Sequence, residues 1–177
     1  MSVPELIVHR DRPILAKAVA ARLVTRLVDS VAARGTASVV LTGCGIGTAV
    51  LVELGAAPAR DAIDWRHLDI WWGDERFMPA GDPERIEAGA RAALLDHVDA
   101  DPARVHPMPG PDGADGDDPE AAAARYASWL AKATTPEDHG PVQVPAAGAR
   151  GRQRTLFLID SDAAAKVPPQ IGRQGAH

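Results

Sequence analysis

The run Ala37-Ser38-Val39-Val40-Leu41-Thr42 passes without a break into Gly43-Cys44-Gly45-Ile46-Gly47, and Thr48 to Leu54 then read as a helix up to Gly55. A short β-branched apolar run bounded by glycines fits a strand covered on both faces, and a strand that turns at once into a helix needs a corner with little side-chain bulk. This strand-loop-helix unit restricts the chain to folds in which helices cover a mostly parallel sheet.

The rest of the chain agrees. Glu5 to His9 reads as a short edge strand, and Asp11 with Pro13 supplies a helix start by capping and preset φ. From Ile14 to Val31 apolar residues recur at three- and four-residue spacing, and Arg34-Gly35 closes the pattern. Trp65 to Trp72 reads as a second strand, ending at Gly73-Asp74-Glu75-Arg76. Pro83 to His97 and Pro119 to Ala133 read as helices, separated by a Gly/Pro/Asp loop from Pro107 to Asp118 that is expected to be mobile. Thr155 to Asp160 makes a last strand and Asp162 to Lys166 a small helix. The alternation predicts an α/β fold of three layers, α/β/α, with residues 1–167 as a single domain and 168–177 as a disordered tail. Ligands of such sheets bind beyond the carboxyl ends of the strands.

Composition narrows the function classes. At 177 residues one α/β domain is expected, burying roughly 70% of the surface of its unfolded form. No apolar run approaches the roughly 20 residues that span a bilayer, and the N-terminus lacks the pattern of a secretory signal. The expected compartment is the cytoplasm, in keeping with a single cysteine, Cys44, that can form no internal disulfide and no metal cluster. A net charge of -5 gives no general attraction to nucleic acid or anionic lipid.

Two loops carry possible chemistry. In Thr42-Gly43-Cys44-Gly45-Ile46-Gly47-Thr48 the glycines let the backbone approach a ligand, and the helix that follows presents unpaired N–H groups to an anion such as phosphate. The alternative is a tight strand-to-helix turn. A dinucleotide fingerprint would need Gly or Ala at Thr48, and no Gly-Lys-Ser/Thr triplet makes a P-loop. In Asp74-Glu75-Arg76 three charges follow an apolar strand and must pair with each other or meet a polar ligand, unless the loop is simply solvated. An arginine there could grip phosphate or carboxylate with both arms.

In order along the chain, Val39-Val40-Leu41-Thr42-Gly43, Trp72-Gly73-Asp74-Glu75-Arg76-Phe77 and Arg104-Val105-His106-Pro107-Met108 resemble the 6-phosphogluconolactonase family. Val144 to Gly148, Gly151-Arg152-Gln153, Leu156 to Asp160 and Asp162 to Lys166 resemble the C-terminal end of its actinobacterial members. The resemblance implies the sugar-phosphate isomerase/lactonase fold with central elements missing. It also implies hydrolysis of 6-phosphogluconolactone to 6-phosphogluconate without metal or cofactor, a sugar phosphate as small-molecule partner, and substrate binding by Thr42, Gly43, Cys44, Gly45, Asp74, Glu75 and Arg76. Arg76 inherits the task of orienting substrate or phosphate.

This chain departs from that pattern at several places. The family's Gly-x-Gly-x-Asp-Gly-His loop, whose histidine is taken as the base that activates water, is absent together with two or more strands and their helices. Lys132 to Gly140 runs almost directly into the C-terminal part, which places an internal deletion near 139–143. Glu137-Asp138-His139-Gly140 offers an imidazole, but no apolar strand precedes His139 to hold it, so no catalytic residue is identified. Cys44 stands where the family prefers glycine, and Ile86 where it has an asparagine. The expectation is a family member by descent without its proton acceptor; the alternative is a non-catalytic protein that binds sugar phosphate or a partner through the remaining loops.

Overall fold

The structure is a computed structural model that describes residues 5–43, 45–133 and 156–165. The readings made of Cys44, of His139 and of the 168–177 tail therefore lie outside the described residues.

Strand β1 (Glu5–His9) leads into helix α1 (Arg12–Arg34). The Asp11 carboxylate accepts the Ile14 N–H at 2.9 Å, and Pro13 sits in the first turn, where an N–H would have no helical partner. Gly35 ends the helix at φ 78°, a left-handed conformation that favours glycine, and its N–H donates to Val31 O at 2.7 Å. Strand β2 (Ala37–Leu41) follows, then helix α2 (Gly45–Ala56). This helix starts three residues before the expected Thr48. At Gly47 an added Cβ would lie 2.3 Å from Thr42 O, so the absence of a side chain lets the turn wind directly into the helix.

Strand β3 is Leu68–Trp72, shorter than the expected 65–72, because Trp65–His67 forms one 3₁₀ turn. Local partners hold that turn: the Trp65 indole N–H donates to Arg60 O at 3.1 Å, and His67 Nδ1 meets Asp64 Oδ2 at 2.8 Å. Helix α3 covers only Ile86–Ala93 of the expected 83–97, with a 3₁₀ turn at Leu95–His97 after it. Strand β4 (Val105–His106) was not anticipated, being too short to show a period. Helix α4 (Pro119–Ala133), strand β5 (Leu156–Asp160) and the single turn α5 (Ser161–Ala164) complete the described elements.

All pairings are parallel. β2, β3 and β4 form one sheet in that order, with Leu41 opposite Trp72 and Trp71 opposite His106. β1 and β5 form a two-stranded sheet from Glu5↔Leu156 to His9↔Asp160, which supplies the partner of the last strand. Alternate residues of β3 then divide the layers. Leu68, Ile70 and Trp72 are at most 1% exposed and pack with Ala20 and Leu27 of α1, Val50 and Leu54 of α2, and Ala90 of α3. Trp71 points the other way and meets Tyr126 of α4 edge-on at 5.8 Å. Helices thus cover both faces of the parallel sheet, as the alternation of elements predicts. The 107–118 loop, expected to be mobile, is tied down: Arg85 donates to Met108 O at 2.6 Å, and the Ala80 N–H reaches the Asp112 carboxylate at 3.0 Å.

Candidate functional site

The glycine turn and the acidic-basic loop leave the sheet side by side. β2 and β3 end together, and the Gly73 N–H donates to Leu41 O at 2.8 Å, so Gly43 and Asp74 each begin just past the last rung. Tyr126 holds that end of β3 from the second layer: its hydroxyl accepts the Trp72 N–H at 2.8 Å and donates to Trp72 O at 3.1 Å. Burial pushes its phenol above the ordinary tyrosine value, and the bond from the Trp72 N–H works against that rise.

The three charges of the loop have three different fates. Asp74 is exposed and makes no hydrogen bond or ion pair among the described residues. Glu75 has a side chain only 3% exposed. Its Oε1 accepts from the Arg76 N–H at 2.8 Å and the Ile86 N–H at 2.7 Å, while Oε2 accepts from the Glu87 N–H at 2.9 Å. Both oxygens face protein donors, so in this geometry Glu75 closes the N-terminus of α3, where carboxylates stabilise unpaired N–H groups and the positive helix end. Arg76 is exposed and meets Glu84 at 3.1 Å on the surface, a pair too solvated to hold the guanidinium in place.

On the glycine side, Thr42 is exposed, and Gly45 opens α2 with free space where a side chain would stand. Gly43 is tightly covered: an added Cβ would come within 2.2 Å of Ile86 Cγ1. Ile86 therefore packs directly on the turn and joins the two loops, while Cys44 lies outside the described residues. The structure brings Thr42, Gly43, Gly45, Asp74, Glu75 and Arg76 to one end of the sheet. Arg76 and Asp74 face solvent at that end of the sheet.

Sequence reasoning missed Arg85. Its side chain is 2% exposed, donates to Met78 O at 2.8 Å and to Met108 O at 2.6 Å, and lies 3.6 Å from Glu75 and 3.4 Å from Glu87. This buried arginine ties the β3 loop, α3 and the 107–118 loop together. The only signal in the sequence was the need of three adjacent charges for a partner, and it pointed to Arg76.

No described imidazole joins the site. His67 bonds Asp64, and His97 Nε2 bonds Ala92 O at 3.0 Å. His106 stacks on Trp71 at 3.9 Å and reaches Asp69 at 3.1 Å, and His9 stands opposite Asp160 at the end of β1. None bonds Asp74, Glu75 or Arg76. Among the described residues no group of three or more His, Cys, Asp or Glu side chains is placed to hold a metal ion, and no helix is long and apolar enough to cross a membrane.

Against known proteins, residues 10–149 match the family of glucosamine-6-phosphate isomerases/6-phosphogluconolactonase. A 6-phosphogluconolactonase of Streptomyces coelicolor is 40% identical over 251 positions, covering 95% of this chain and 96% of the relative. That alignment is longer than the 177-residue chain, so it steps over a stretch the chain does not have. A 6-phosphogluconolactonase of Mycobacterium tuberculosis is 43% identical over 150 residues, 83% of this chain and 60% of the relative. The crystal structure of a 6-phosphogluconolactonase from Thermotoga maritima superposes with a TM-score of 0.61 at 17% identity, over 74% of this chain and 55% of that one. The chain thus spans little more than half the length of most of the proteins it matches, and the shared fold is the α/β fold of these lactonases. The matched span and the identity to the Streptomyces relative both lead to one placement: the chain belongs to the glucosamine-6-phosphate isomerase/6-phosphogluconolactonase family.

Proposed function

We propose that this chain binds 6-phosphogluconolactone and its hydrolysis product at the joined ends of β2 and β3, and that by itself it hydrolyses the lactone little faster than water does. Opening the ring needs an anion site for the phosphate, a fixed proton acceptor beside an attacking water, and donors for the developing oxyanion. The N–H groups at the start of α2 together with Arg76 supply the first, while Thr42, Gly43 and Gly45 let the sugar phosphate approach the backbone. Glu75 acts by position, keeping the loop open so that Asp74 and Arg76 face the solute. One observation carries the reading: Glu75 and Arg85 are buried as a framework, while Arg76 faces solvent at the same end of the sheet as the glycine turn, with a surface glutamate as its ion-pair partner among the described residues.

The compartment that goes with this metabolism is the cytoplasm. The test is a titration of the protein with 6-phosphogluconate, alongside a lactone assay against the spontaneous rate. Saturable binding that weakens about tenfold or more in Arg76→Ala at an unchanged melting temperature is the expected result, since a charge-assisted bidentate contact is lost. Lactone turnover well above the spontaneous rate that vanishes in His139→Ala would overturn the catalytic half of the proposal. Binding indifferent to Arg76 would overturn the other half.

A further inference from the structure

The glycines of the turn after β2 lack side chains for different reasons. At Gly47 an added Cβ would run into the main chain at Thr42 O, whereas at Gly45 it would meet nothing within 4 Å among the described residues. At Gly43 the three nearest atoms all belong to one side chain, that of Ile86: Cγ1, Cδ1 and, at 2.8 Å, Cγ2. Gly43 is not one of the described glycines with positive φ, so its backbone conformation would accept a side chain. What excludes one is the contact with Ile86, which fills the open face of the residue.

Ile86 is fixed where it stands. It opens α3, and its N–H donates at 2.7 Å to Oε1 of the buried Glu75. The residue before it, Arg85, is bound to Met78 O and Met108 O. A β-branched side chain is stiff at χ1, so with its backbone pinned on both sides Ile86 forms a fixed cover and not a hinged one. Ile86 packs against the core but is only partly buried, so the space it fills over Gly43 would open to solvent if the side chain were cut back.

We propose that Ile86 is a specificity-determining residue of the glycine turn: by occupying the open face of Gly43 it keeps a sugar phosphate from the main chain there and leaves the ligand the Gly45 side. This rests on the sugar-phosphate reading above. A missing side chain lets a ligand come close to the backbone, and at Gly43 that opening is already taken from within the protein. The consequence is an affinity lower than the turn itself would allow. Ile86 has an uncharged side chain without donors or acceptors, so exchanging it for a smaller apolar residue changes the shape of the site and leaves its charge alone.

The test is a calorimetric titration of the full chain with 6-phosphogluconate, beside thermal melts of each variant. Ile86→Ala removes the atoms that cover Gly43 and should tighten binding about tenfold, the size of one hydrogen bond to a charged group, even though it lowers the melting temperature. Adding Gly43→Ala puts a methyl group into the vacated space, and this double variant should return to the parent affinity while melting within about 2 °C of Ile86→Ala. A residue that served only the fold would not raise affinity as stability falls, and a methyl group at 43 would not reverse the gain. Ile86→Val removes only Cδ1 at small cost in stability; it should tighten binding about twofold, and it decides the matter if the alanine variant is unfolded at the assay temperature. Unchanged or weaker binding in the folded variant, or a gain that survives Gly43→Ala, would overturn the proposal. Parent binding that depends on Arg76 but not on Ile86 sinks the cover alone. Binding that appears only once Ile86 is cut back supports the cover and sinks the binding half of the functional reading, and no binding by any variant sinks both.

Discussion

Replacing Glu75 by alanine tests whether this acid serves the fold or a ligand. The change removes the acceptor of the Ile86 and Glu87 N–H groups, and it takes one of two carboxylates from Arg85, which is 2% exposed. Losing a helix cap costs about 1 kcal/mol. Breaking a buried ion pair from one side costs about 3–5 kcal/mol, and the lower end applies because Arg85 keeps Glu87 and two carbonyl acceptors. Together the loss is about 3–5 kcal/mol, a large share of the roughly 5–15 kcal/mol that holds most domains folded. At about 2–4 °C per kcal/mol for a domain of this size, the melting temperature should fall by about 6–20 °C. Asp74→Asn, one residue away and solvent-facing, should stay within about 0.5 kcal/mol of the parent. Differential scanning calorimetry and urea titration read both. A Glu75→Ala protein that melts with the parent but no longer binds 6-phosphogluconate would refute the reasoning, since it would make Glu75 a ligand contact and not a brace.

Two further changes probe the same end of the sheet. Gly45→Ala and Gly47→Ala lie two residues apart and should have opposite signs. Alanine at 45 meets open space and should stabilise by about 0.4–1 kcal/mol through the unfolded state, whereas at 47 its Cβ meets Thr42 O and should destabilise by about 1–3 kcal/mol in a urea melt. Tyr126→Phe leaves the buried Trp72 N–H without its acceptor and should cost about 1–3 kcal/mol. The folded phenol titrates above its unfolded value, so its contribution is intact below the ordinary tyrosine value of about 10 and is lost as pH rises through the folded value. The parent should therefore lose stability above about pH 10 more steeply than Tyr126→Phe, as measured by thermal melts across that range.

What could be read from the sequence is what depends on local pattern. α1 was legible at both ends because Asp11, Pro13 and Gly35 act within their own turn, and β2 with its glycine corner was legible because β-branched residues and missing side chains act on the backbone they belong to. β4 was not legible, since two residues carry no period and its place depends on Arg104 and His106 reaching Asp69 of β3, 35 and 37 positions back. The candidate site lies between these cases. That Asp74-Glu75-Arg76 needs partners follows from charge beside an apolar strand, but which of the three turns inward is decided by where α3 begins. That start is fixed by Arg85, whose acceptors Met78 and Met108 come from two separate loops. Glu75 is drawn inward to Arg85 and the α3 N–H groups, and its neighbours on either side are left outside. The same buried pair that turns one candidate inward is what leaves the other two facing solvent.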